Sequence, residues 1–148
     1  MLKNDDFVKQ IDRADFISFD IFDTAIYRIV KRPHDIFRLI EQQSGIKNFF
    51  KNRKKASKTT RQKNKERGII EITLDEIYQT LGEIDTTLSE EKLYSLKQLE
   101  METEILACRP NTEILNLFNE LKRKKKKIVF TSDMYLPKET IEQMPKCN

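Results

Sequence analysis

Two cysteines, one histidine and the absence of any long apolar run set the first limits on this 148-residue chain. Cys108 and Cys147 lie far apart with no cluster of His or Cys beside them, so neither a disulfide framework nor a zinc site is expected and both read as free thiols. With His34 as the single histidine, histidine-based activation of a nucleophile has one candidate and no visible partner, and a place at a helix start suits it better. No apolar stretch approaches the ~20 residues that span a bilayer. The opening MLKNDDFVKQIDR lacks the apolar centre of a signal peptide. The expected location is therefore cytoplasmic, with no membrane partner. Internal repeats and low-complexity linkers are also missing, which suits one domain or a small domain carrying an insertion.

What is present is a mixture of 38% hydrophobic and 35% charged residues, so a core has to be gathered from segments separated by polar helices. The formal charge of +4 is unevenly placed: Lys47 to Arg67 carries ten Lys or Arg against one Glu, and Lys122 to Lys127 reads KRKKKK. Such runs can meet phosphate backbones or anionic surfaces. They also fit the solvated face of one helix and the basic last turn of another. Aromatic residues are not interleaved with the cations after Phe49 and Phe50, so nucleic acid is not the expected partner.

Along the chain, Asn4 to Ala14 predicts a short amphipathic helix through Phe7, Val8 and Ile11, leading into a strand over Phe16 to Phe19. Ile21 to Pro33 reads as a loop or tight hairpin. Ile36, Phe37, Leu39 and Ile40 form a helical stripe that stops near Gly45, and the basic segment continues as helix to about Arg67, where Gly68 breaks it. Thr73-Leu-Asp-Glu76 is a capping-box pattern, and Ser89 is a candidate cap for a helix carrying Leu93, Leu96, Leu99, Ile105 and Leu106. A helix from Asn111 or Thr112, with Ile114, Leu115, Leu117, Phe118 and Leu121 inward, then runs into Ile128 to Asp133, and Pro137 opens a last helix, Lys138 to Met144. Strand, helical excursion, helix and strand form a βαβ-type plan of the α/β class.

Both strands end on polar groups. ISFDIFDT places Asp20, Asp23 and Thr24 at one tip, and IVFTSD places Thr131, Ser132 and Asp133 at the other. Open α/β sheets bind ligands at those carboxyl ends. Aspartate also favours turns, and for Asp23 the two roles are evenly matched.

The pairing of ISFDIFDT with IVFTSDMYLP around a helical insert resembles the haloacid dehalogenase (HAD) superfamily of hydrolases. The resemblance covers almost the whole chain and implies an incomplete Rossmann-like parallel sheet, residues 1–34 and 108–148, with an all-helical cap over 35–107. It implies Asp20 as the nucleophile of a phosphatase-type reaction through an aspartyl-phosphate, with Thr24 holding the motif. Ser132, with Thr131 second, is then the hydroxyl that binds phosphate. Mg2+ is implied on Asp20 with the Phe22 backbone carbonyl. Where phosphatases of the superfamily carry a second aspartate as acid/base this chain has Phe22, with Asp23 one residue further on. Dehalogenase-like branches also use an aromatic there.

The family's third motif supplies a lysine and its fourth an acidic pair, both from later strands, whereas this sequence ends at Asn148. The expectation is thus the N-terminal portion of a HAD-like hydrolase, truncated and with little or no turnover. An exposed sheet edge that can self-associate is expected as well. The longer pattern resembles HAD domains found with bacterial glycosyltransferases. Arg28, with Lys31 and Arg32, is a candidate contact for a small phosphorylated or other anionic substrate. The alternative is a non-catalytic binding or regulatory module that meets an acidic partner or nucleic acid through the basic helix 47–67.

Overall fold

The computed structural model describes residues 5–144; Asn4 and Cys147 lie outside them, as do the side chains of Phe7 and Val8. It is a mixed α/β chain of two units. One combines the chain up to Tyr27 with Cys108–Ser132, the other Arg28–Ala107 with Asp133–Met144.

The first unit is built on β1 (Phe16–Asp20) and β4 (Lys127–Thr131), which pair in parallel with Phe16 opposite Lys127 and Asp20 opposite Thr131. Two parallel strands need a long crossover, and α1 (Asp5–Arg13) and α6 (Thr112–Arg123) supply this unit's helices. Ile11, Phe19 and Leu121 are its buried centre, with Ile17, Ile114, Leu117 and Ile128 against them. Leu121 alone of the α6 stripe is fully buried.

The basic turn between α6 and β4 does without a glycine. Lys125 takes the left-handed conformation at φ 55°. The N–H of Lys126 donates to the Leu121 carbonyl and that of Lys125 to Lys122, both at 3.0 Å, which is a Schellman closure. Lys126 Nζ donates to the carbonyls of Asp12 and Ala14, so part of the KRKKKK run ties α1 to this turn.

The second unit is helical: α2 (Asp35–Ser44), α3 (Phe49–Glu66), α4 (Leu74–Ile84), α5 (Glu90–Ala107) and α7 (Lys138–Gln143). α3 packs on α4, while α2 packs on both α3 and α5. Ile36, Phe37, Ile40, Phe49, Leu74, Ile77, Leu81 and Leu96 are among its buried apolar residues. The expected capping box at Thr73 and Glu76 is formed, and Ser89 Oγ accepts from the Lys92 N–H.

Several expectations are corrected. Ile21 to Pro33 does not make a hairpin on β1; it contains β2 (Ile26–Arg28), which pairs with β3 (Cys108–Pro110). The expected stop at Gly45 is formed, with Gly45 left-handed, and a second left-handed residue, Asn48, precedes α3. α3 has the expected solvated basic face, and on its other side Arg53, Thr60 and Asn64 are buried. The inward face of α5 is Leu96, Glu100, Thr103, Glu104 and Ala107, whereas Leu106 is exposed. The helical unit combines Arg28–Ala107 with Asp133–Met144. The reason is local: the Leu74 N–H donates to the Tyr135 carbonyl, Leu136 is buried and Thr140 donates to the Met101 sulfur.

Candidate active site

β1 delivers Asp20 at its carboxyl end because Phe19, the residue before it, is anchored in the core and side chains alternate along a strand. The loop that follows is tightly wound. The Ala25 N–H donates to the Asp20 carbonyl at 3.2 Å and the Ile26 N–H to the Ile21 carbonyl at 2.9 Å. Within that loop Thr24 Oγ1 donates to Asp20 Oδ2 at 3.2 Å, so the hydroxyl turns back onto the strand-end carboxylate. Asp20 is exposed at the strand tip.

Asp23 and Phe22 divide the turn between them. Phe22 is buried and bridges to Ile26, while Asp23 is exposed at φ 57°, a backbone region that aspartate enters more readily than most residues. The apolar side chain thus points inward from the position two after Asp20.

β4 brings the second tip alongside. Asp20 faces Thr131 directly, and the Ile21 N–H continues the ladder to the Thr131 carbonyl at 3.0 Å. Thr131 Oγ1 lies 3.3 Å from Ser18 Oγ and 3.4 Å from the Phe19 carbonyl, so its hydroxyl is spent on β1. Ser132 is the next residue, exposed, one step past the last pair.

Two residues that the sequence did not mark as part of this site help to build it. Asn111 caps α6 by accepting the Glu113 N–H, and it also donates Nδ2–H to the Thr24 carbonyl at 3.0 Å while its own N–H reaches the Ala25 carbonyl. Asn111 therefore pins the Asp20 loop to the start of α6. Ser18, through Thr131, ties the two strands one step before their tips. The visible signal for Asn111 was its capping role; its contact with a loop 87 residues earlier had none.

Arg28 is placed differently from a solvent-facing substrate contact. Its guanidinium bonds Glu104 through Nε at 2.7 Å, with side chains only 6% and 2% exposed. Burial pushes the Glu104 carboxyl up from its usual range, opposed by the hydrogen bond and charge of Arg28. Lys31 and Arg32 are exposed, and Arg32 bonds Asp35.

No protein-family model matches the chain, and no curated protein matches it.

For a metal, no group of three or more His, Cys, Asp or Glu converges among the described residues. At the β1 tip the exposed Asp20 offers one carboxylate, an oxygen ligand of the hard kind that Mg2+ accepts. Among the described residues no helix is long and apolar enough to cross a membrane.

Proposed function

We propose that the chain is a HAD-like phosphoryl hydrolase with a helical cap, in which Asp20 is the nucleophile. The observation that carries this reading is the in-register parallel pairing of Asp20 with Thr131, which sets an exposed carboxylate and the adjoining Ser132 on neighbouring strand ends. Phosphoryl transfer asks for positioning and charge neutralisation more than for proton chemistry, and a strand tip positions well. Asp20 attacks phosphorus in line, the P–O bond to the leaving group breaks with its electron pair going to that oxygen, and water then cleaves the aspartyl-phosphate. Thr24 holds Asp20 in line through its hydrogen bond. Ser132 binds a phosphate oxygen. Asp20 and the Phe22 carbonyl would hold Mg2+, which would neutralise phosphate charge.

Phe22 gives no proton to a leaving group, and exposed Asp23, one residue further on, is the candidate acid. Turnover is therefore expected to be slow, and fastest on substrates with good leaving groups. The substrate class is a small phosphorylated molecule. Self-association through the outer edge of β4 belongs to the same reading.

The test is phosphoryl trapping. After incubation with Mg2+ and p-nitrophenyl phosphate, acid quench and peptide mass spectrometry should find phosphate on the peptide containing Asp20 and none in Asp20→Asn. Phosphate elsewhere, or on neither protein, would contradict the assignment.

A further inference from the structure

The two faces of α3 differ in charge density as well as in burial. Phe49, Arg53, Ala56, Thr60 and Asn64 recur at steps of three and four and are buried. On the opposite side Lys51, Lys54, Lys55, Lys58, Arg61 and Lys65 are all exposed. At 3.6 residues per turn they fall within an arc of about 120° and extend along about 21 Å of helix. None of the six forms an ion pair among the described residues, although Lys63 on the flank pairs with Glu83, Lys97 with Asp75 and Lys124 with Asp12.

The segment Lys47 to Arg67 also accounts for the sign of the whole chain. It holds ten of the 28 Lys and Arg and one of the 24 Asp and Glu, leaving 18 cations against 23 acids elsewhere. Like charges three and four apart weaken a helix. The stripe therefore opposes folding and is sustained by the buried face behind it.

We propose that α3 is a binding face for the phosphate backbone of double-stranded nucleic acid, engaged without base reading. A straight, rigid row of cations matches a linear polyanion, and five of the six are lysines, point charges without the planar fork that reads base edges. Stacking on single strands has no platform here: the Phe50 ring is flanked by Arg38 at 4.1 Å and Lys54 at 5.3 Å. A lipid interface calls for an apolar helix face, and the inward face of α3 is already buried in its own unit. Composition alone disfavours nucleic acid; the alignment of the cations on one face reverses that balance. His34 serves as an internal reporter, since burial first and then the charges of Lys54, Arg53 and Arg61 hold its imidazole below the usual histidine range, with Asp35 opposing.

The experiment is fluorescence anisotropy of a labelled 20-base-pair duplex with the full chain between about 50 and 200 mM salt. Neutralising four to six phosphates predicts a log–log slope of about −3.6 to −5.4, unchanged when the duplex sequence is scrambled. The triple variant Lys54→Gln, Lys58→Gln, Arg61→Gln, shown folded by circular dichroism, should lose roughly 2–3 units of slope and bind at least about tenfold more weakly at low salt. In the wild type, NMR titration of His34 should show its pKa rising when duplex is added. Asp20→Asn should bind as the wild type does, which keeps this result separate from the hydrolase reading. No binding at 50 mM salt, a slope indifferent to the triple variant, or retention on phosphatidylserine vesicles without duplex binding would overturn the proposal.

Discussion

Thr73 and Glu76 show how single side chains set an element's start. The Glu76 carboxylate accepts the Thr73 N–H at 2.8 Å and Thr73 Oγ1 accepts the Glu76 N–H at 3.2 Å. The Thr73 backbone bond, with help from Asn64, holds the Glu76 carboxyl below its ordinary 4.5. A depressed folded pKa contributes stability that is present above the unfolded value and lost as pH falls through the folded one. Urea unfolding should therefore show wild type more stable than Glu76→Gln near about pH 6, with the gap closing towards about pH 3. A gap that widens on acidification would contradict the box. This feature was legible in the sequence because Thr-x-x-Glu carries its own geometry. The left-handed Lys125 was not, since nothing in four lysines marks which one turns.

Among elements, α3 and α5 carry the least legible feature. Arg53 forms a two-pronged bond to Glu100 at 2.7 and 2.6 Å, with both side chains fully buried, and also donates to Ser57. The Tyr78 hydroxyl donates to Glu100 at 2.9 Å, and Phe37, Tyr78 and Tyr135 rings surround the guanidinium. Burial alone would lower the Arg53 pKa, but the Glu100 charge and bonds outweigh it and the group stays protonated. Within KNRKKASK one arginine reads like its neighbours, and only a partner 47 residues away distinguishes it. β2 and β3 were hidden for a related reason, because three residues are too few to show a period. Glu100→Gln leaves a buried cation without its countercharge and should cost about 3–5 kcal/mol in urea unfolding. Arg53→Met combined with Glu100→Leu should recover most of that loss. A Glu100→Gln cost below about 1 kcal/mol would contradict the pairing.

At the scale of the whole molecule, the α/β class follows from apolar runs that end in Asp20 and Thr131, whereas the division into units depended on the long-range ties of Arg28, Tyr135 and Thr140. The sheet of the first unit consists of β1 and β4 alone among the described residues, and Phe16, Val129 and Phe130 are 64%, 47% and 42% exposed. An open apolar edge favours pairing with another strand, and lysine is a common device against it. Sedimentation velocity should show concentration-dependent association of the wild type that Val129→Lys reduces, with the thermal melt little changed. Association indifferent to that substitution would place the contact elsewhere.

If Asp20 accepts a phosphoryl group, thermal melting with Mg2+ and beryllofluoride, which mimics the aspartyl-phosphate, will register it on the folded protein itself. At about a hundredfold excess over Kd a ligand stabilises by about 2.7 kcal/mol, which for a chain of this size is roughly 5–10 °C. The account predicts a shift of that order in the wild type and none in Asp20→Asn; an equal shift in both proteins, or none in either, would contradict it.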